Sequence, residues 1–246
     1  MPKKLTPDNY KFSVAPMMGV TTPSARYLYR LISKKTLLWS EMIAAQALHK
    51  GDVNKLLSKN DIEQPVILQV GGSEIDLLKN SATLAERFKY NGINLNVGCP
   101  SKKVSQGNMG ACLMKESNLV KECIAAMIQE TSIHVSVKCR IGVDEFETYD
   151  FFKNFISTVA ESGCDTFIVH ARKAFLKGLD PKKNRTIPPL NYEYVYQIKK
   201  DFPNLKFIIN GGFINLQDCQ NQLSKVDGVM VGRAIQSNPF LLTDVD

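Results

Sequence analysis

Four groups of residues in this chain have the types and spacing to do chemistry. The first is Asn96-Val97-Gly98-Cys99-Pro100-Ser101, where Gly98 and Pro100 place a thiol on a sharp turn. A lone cysteine is more often a small buried hydrophobe, which is the reading for Cys123, Cys164 and Cys219. Cys99 differs in sitting at the exit of an apolar run. A free thiol, with an ordinary pKa of about 8.5, is largely protonated at neutral pH and can serve as a general acid. It becomes a nucleophile where cations lower that pKa. No histidine neighbours Cys99 in sequence, so proton donation is the favoured role. The second group is Lys138 and Arg140, alternating on one run and so facing the same side. A lysine embedded in Val135-Ser136-Val137-Lys138 lies deep enough to require an anion. The third is His170, which a parallel arrangement brings beside Lys138 and marks as a ligand-binding group. His49 and His134 lack such a setting and read as structural. The fourth is Asn210-Gly211-Gly212 with Gly232-Arg233. Successive glycines expose backbone N–H groups without Cβ hindrance, and arginine is a bidentate phosphate donor, so this pair of turns reads as a phosphate seat.

Between the third and fourth groups runs a basic stretch, 172–185. Arg172, Lys173, Lys177, Lys182, Lys183 and Arg185 face a single acid, Asp180. A charge run is ordinarily a solvated face. One that overhangs a catalytic rim suits the phosphates of an RNA, with Phe175 available for stacking. The whole chain carries 31 Lys and Arg against 24 Asp and Glu, a net charge of +7. That balance suits a polyanionic partner without requiring one.

What must position these residues is a repeated unit: an apolar run, a polar or Gly-rich loop, then an amphipathic helix. Strands are expected at 12–15, 37–40, 66–70, 93–97, 135–140, 166–170, 207–210 and 228–231, with helices at 77–90, 119–130, 149–161 and 192–202. Near-continuous apolar strands are those of a parallel sheet covered on both faces. Eight such units predict an α/β fold, a closed (β/α)₈ TIM barrel. The competing open doubly wound sheet would need a G-x-G-x-x-G turn after its first strand, where this chain has Ala15-Pro16-Met17-Met18-Gly19. In such a barrel the loops at the carboxyl ends of the strands build the site, and all four groups fall there. The longest non-periodic segment, 171–190, follows the sixth strand, and a loop of that length in a compact domain is usually functional. The expected organisation is a short lead (1–10), one barrel (11–242) and a tail (243–246). Neither a secretory signal nor an apolar run of the roughly 20 residues needed to span a bilayer is present. The six cysteines form no C-x-x-C pair and read as reduced thiols, with no metal site, in a cytoplasmic protein.

Taken together, the motifs resemble the tRNA-dihydrouridine synthases. The most specific pieces are Ala15-Pro16-Met17-Met18, the Asn96–Ser101 turn, Val137-Lys138-Cys139-Arg140, His170-Ala171-Arg172-Lys173 and Asn210-Gly211-Gly212. The stretch from Gly178 to Arg185 with Ile187-Pro188-Pro189-Leu190 is similar to the A-type subfamily. The resemblance implies an FMN-binding barrel that uses NADPH to reduce uridines 20 and 20a of the tRNA D-loop. It assigns FMN contacts to Pro16, Met17, Met18, Gln69, Lys138, His170, Asn210, Gly211, Gly212, Gly232 and Arg233. Cys99 matches the family's proton donor, Asn96 its contact to the target base, and Lys182 and Arg185 its tRNA-orienting positions; Arg140 is grouped with the substrate contacts. In the implied mechanism NADPH reduces FMN, flavin N5 delivers hydride to uracil C6, and Cys99 protonates C5. Family members continue into a C-terminal helical domain, and the sequence here is expected to represent the barrel alone. Three alternatives stay open at this point. One is another FMN barrel acting on a small molecule, in the manner of dihydroorotate dehydrogenases. Another is a catalytically idle tRNA-binding barrel, and the third a flavin-free phosphate-binding isomerase or aldolase.

Overall fold

A computed structural model describes residues 5–246; the first four residues of the expected lead lie outside the described residues. Eight strands form one parallel sheet: β1 (Phe12–Val14), β2 (Leu38–Ala44), β3 (Val66–Gly71), β4 (Gly92–Val97), β5 (His134–Arg140), β6 (Thr166–His170), β7 (Lys206–Asn210) and β8 (Gly228–Val231). Sequential strands pair from β2 through β8, and β8 pairs back to β1. The last seam closes between β1 and the residue preceding β2. There Leu37 receives a hydrogen bond from Val14 N at 3.0 Å and donates one to the Phe12 carbonyl at 3.1 Å. The predicted barrel is the observed one.

The helices wrap the outside: α1 (Pro23–Ile32), α2 (Ala45–Lys50), α3 (Val53–Leu56), α4 (Ile75–Arg87), α5 (Lys102–Gln106), α6 (Ser117–Glu130), α7 (Tyr149–Ala160), α8 (Tyr192–Asp201), α9 (Leu216–Gln222) and α10 (Arg233–Ser237). Their starts are set locally. Thr22, Thr148, Asn191 and Asn215 each accept a backbone N–H from the first turn of α1, α7, α8 and α9. The predicted helix 77–90 stops earlier, at Arg87, because Lys89 turns left-handed with a φ of 58°.

Alternation along the strands separates two cores. One residue set packs outward against the helices, including Val70, Leu95, Val137, Phe167 and Phe207. The other points inward. Trp39, Ile67, Ile168, Ile208 and Met230 fill the lower barrel, with Tyr10 closing its floor. Two residues further along the same strands, the inward positions become Gln69, His170, Asn210 and Gly232, so one parity delivers both the floor and the rim. Beneath the floor Tyr10 Oη lies 2.6 Å from His134 Nδ1, and His134 Nε2 lies 2.9 Å from Asp165, which also pairs with Lys206 at 2.8 Å. His134 therefore belongs to a structural network at the end remote from the strand exits. A shallow cavity of about 460 Å³ also opens at that lower end, beside Tyr10, Lys206 and Asp227.

The largest departure from the expected strands is β2, which runs to Ala44 where 37–40 was predicted. Its register against β3 shifts between Trp39 and Met42, a bulge that carries Ser40 and Glu41. The polar pair and the helix-forming residues after it hide the strand from a pattern reading.

Candidate active site

At the exits of β3, β4 and β5 a buried polar ladder leads to the thiol. Gln69 donates to Asn94 Oδ1 at 2.9 Å, and Asn94 donates to Ser136 Oγ at 3.0 Å. Asn96 Nδ2 donates to Gln69 Oε1 at 2.9 Å, while Asn96 Oδ1 accepts the N–H groups of Gly98 (3.1 Å) and Cys99 (2.9 Å). Asn96 thus shapes the turn that presents Cys99, and one amide hydrogen remains for a ligand. From the other side Ala111 N donates to the Cys99 carbonyl at 2.8 Å. Gly110, at φ +77°, allows this approach: a Cβ there would lie 2.4 Å from the Cys99 oxygen. Cys99 itself is half-buried, whereas Cys123, Cys139, Cys164 and Cys219 are buried.

Across the barrel, Lys138 Nζ donates to Asn210 Oδ1 at 3.1 Å, and Asn210 Nδ2 donates to the Met230 carbonyl at 2.8 Å. Among the described residues no carboxylate pairs with Lys138. Burial lowers its ammonium pKa to about 8, helped by the Arg140 charge. Burial likewise drives His170 well below its ordinary value, with further push from Arg140, Lys138, Arg172 and Arg233. His170 is therefore neutral near pH 7 and offers a polarised N–H or a lone pair, not a charge. The strand registers set Lys138 beside Asn96 and His170 between Arg140 and Asn210 at the carboxyl ends of β4 to β7.

Next to His170 the Gly211-Gly212 turn has φ values of +119° and +82°. A Cβ on Gly211 would lie 2.8 Å from His170 Cδ2, and one on Gly212 2.6 Å from Leu190 Cδ1, so only glycine fits both positions. Gly232 follows β8 and caps α10, and Arg233 is exposed, its Nη2 donating to the Arg185 carbonyl at 3.0 Å. Pro16 and Met17 are half-buried and Met18 is 69% exposed. Their turn is fixed by Glu41 Oε1, which accepts Gly19 N at 2.6 Å, and by Thr21 Oγ1, which accepts Met17 N at 3.0 Å.

Two residues of the expected site have protein partners of their own. Arg140, grouped with the substrate contacts, is only 2% exposed. Its guanidinium donates to three backbone carbonyls: Gly98 at 2.9 Å, Lys173 at 3.0 Å and Asn184 at 3.0 Å. Through these carbonyls it ties the Cys99 turn to the loop after β6. Phe175, expected as a free stacking ring, carries the Lys173 ammonium 4.6 Å from its centroid. Lys182 and Arg185 are exposed on the segment after β6, at a short 3₁₀ turn (Lys183–Arg185).

Sequence reasoning passed over three contributors. Glu41 was hidden by the bulge in β2. Arg172 was counted in the basic run and in the His170–Lys173 motif without a role of its own, yet its Nε is buried without a partner. Asn184, fully buried amid exposed cations, had no signal beyond being a polar uncharged residue in a basic run.

The chain matches the dihydrouridine synthase family over residues 13–246. It is 51% identical over 234 residues to the tRNA-dihydrouridine(20/20a) synthase of Synechocystis sp., covering 95% of this chain and 70% of that protein. Proteins of the same name from Escherichia coli O6:H1 and Yersinia pestis are 50% and 49% identical, each over 96% of this chain and over 72% and 68% of their own lengths.

Proposed function

Because the chain belongs to the dihydrouridine synthase family, flavin-dependent oxidoreductases of tRNA uridines, we propose that it binds FMN and, with NADPH as reductant, reduces uridines 20 and 20a of tRNA to dihydrouridine. What supports a flavin phosphate in this barrel is the donor set. The Gly211-Gly212 cradle would be filled by any Cβ, the Arg172 Nε is buried without an acceptor, and Lys138 has no carboxylate partner. A phosphate dianion would suit the first two, and the electron-rich edge of a flavin ring would suit Lys138. Gly211, Gly212, Gly232, Arg172 and Arg233 would hold the phosphate; Lys138, His170, Asn210 and Gln69 would face the ring system, against the Pro16-Met17-Met18 turn.

When bound, a reduced flavin would supply the hydride for uracil C6. The protein's part is to hold the base and place a proton. Asn96 keeps the Cys99 turn in one orientation, and the thiol delivers its proton to C5. Neutral His170 and the Lys138 ammonium polarise groups that gain negative charge during reduction. The target base must leave its stack to reach this opening, and exposed Lys182 and Arg185 suit the phosphates around it.

The observation that carries this reading is that Cys99, Lys138, His170 and Arg233 all fall at the carboxyl ends of parallel strands far apart in sequence. Purified protein is expected to be yellow. Incubated with NADPH and an unmodified tRNA transcript, it should form dihydrouridine at positions 20 and 20a, the sites in the relatives' names. A colourless protein that takes up no FMN, or turnover of small molecules with tRNA left intact, would overturn it.

A further inference from the structure

Arg140 is a buried cation with no carboxylate partner among the described residues, and its three hydrogen bonds go to the Cys99 turn and to two points of the basic loop. Nε holds the carbonyl of Gly98, the residue immediately before Cys99. Nη1 holds the carbonyls of Lys173 and Asn184, at the start and near the end of the basic loop. Such placement costs desolvation that an apolar side chain in this position would avoid. The geometry answers with carbonyl dipoles alone, so the arrangement invites a reason beyond packing.

Asn184 supplies that reason. It is fully buried, and its side chain is the core of the loop around it. Its Oδ1 accepts Phe175 N at 2.7 Å. Its Nδ2 donates to the carbonyls of Phe175 (2.9 Å), Leu179 (3.1 Å) and Asp180 (3.2 Å). The loop between Phe175 and Arg185 is therefore a built unit and not a solvated tether. Lys182 lies two residues before Asn184 and Arg185 one residue after it. The path from these exposed cations to the thiol is short: the Asn184 carbonyl, the Arg140 guanidinium, the Gly98 carbonyl, then the Gly98–Cys99 peptide.

We propose that Arg140, through Asn184, is a positioning residue that locks the Cys99 turn to the basic loop, so that engagement of tRNA by that loop sets the orientation of the thiol. This rests on the reading of Cys99 as proton donor and of the loop as the tRNA contact. Arg140 touches neither substrate nor cofactor in this scheme. Its planar fork spans acceptors on separate segments, which a lysine ammonium on a flexible stem cannot reproduce.

The test compares Arg140→Lys and Asn184→Ala with the wild-type holoprotein. For Arg140→Lys, FMN content, the rate of flavin reduction by NADPH and tRNA affinity should each stay within about twofold, while kcat for dihydrouridine formation falls about 10- to 100-fold, the scale of a displaced reacting group. Asn184→Ala, which leaves Arg140 in place but loosens the loop, should lower kcat and also weaken tRNA binding. A second readout is alkylation of Cys99 by iodoacetamide, followed on the Cys99 peptide by mass spectrometry. Added tRNA should change that rate in the wild type and leave it unaltered in Arg140→Lys. An unchanged kcat in Arg140→Lys, or a kcat loss matched by an equal loss of flavin reduction, overturns the proposal. Were the wild type itself unable to form dihydrouridine, the functional reading would fall separately. The tRNA-free alkylation rate would then judge the lock alone, and equal rates in wild type and Arg140→Lys would sink it.

Discussion

At the scale of single residues, the site combines one half-buried thiol with groups whose charge is set by burial. Asn96 and the Ala111 N–H hold Cys99 from two sides, so its truncation should leave the surroundings in place. Cys99→Ala is expected to retain FMN and its rate of reduction by NADPH. Dihydrouridine formation should drop about 10²- to 10⁴-fold, the usual contribution of a positioned general acid. Full activity in this variant, assayed on unmodified tRNA, would remove the acid role. Lys138 gives a pH test. Its pKa is depressed to about 8 in the free protein, chiefly by burial. An anionic ligand favours the charged form, so binding raises that pKa, and affinity is full below about pH 8 and falls as pH rises above it. The Kd for FMN should weaken accordingly between about pH 7.5 and 9.5 in the wild type and stay flatter in Lys138→Met. Identical slopes in the two proteins would show that Lys138 does not contact the bound flavin.

At the scale of elements, each strand exit contributes through its own turn, and legibility differed from turn to turn. The runs Ile93–Val97, Val135–Arg140 and Thr166–His170 were readable because parallel strands covered on both faces are nearly all apolar until they meet the rim. The polar residues there stood out against that background. β2 was truncated in the reading because Ser40 and Glu41 fall on a bulge, which breaks periodicity without ending the strand. Arg140 falls on β5 as expected, but its three carbonyl bonds join segments far apart in sequence and leave no signal in the sequence itself. The segment 171–190 was recognisable by length and charge, yet its organisation depends on Asn184, whose bonds are all tertiary or loop-local. For the loop's cations, the expected consequence is electrostatic. Lys182→Ala with Arg185→Ala should weaken tRNA binding and reduce the slope of log K against log salt by about one to two, one per lost phosphate contact. Filter binding over a salt series measures it, and an unchanged slope would return these residues to solvent.

At the scale of the whole molecule, the barrel divides its labour between its two ends. The rim gathers cations with few counter-charges, an arrangement that is costly without a ligand, and the floor is where the fold can offset that cost. Under the floor, Tyr10, His134, Asp165, Thr166 and Lys206 link the N-terminal lead to β5, β6 and β7. The hydrogen bond from His134, together with those from Lys206 and Thr166, holds the Asp165 carboxyl well below the usual carboxylate range. A carboxyl whose folded pKa is depressed contributes stability that is present above its unfolded value, about 3.9, and lost as pH falls toward the folded one. Asp165→Asn should therefore be less stable than the wild type at pH 7. The gap in denaturation midpoint should persist down to about pH 4.5 and shrink below about pH 4 as the wild-type carboxylate takes up its proton. Because Asp165 is half exposed, solvent screens the interaction and the gap should be modest. FMN affinity measured at pH 7 on the folded variant should match the wild type, since the floor lies at the opposite end of the strands from Gly211, Gly212 and Arg233. A midpoint gap that does not vary with pH would assign the loss to packing around Tyr10. A loss of FMN affinity without a loss of stability would mean that the two ends are coupled through the strands.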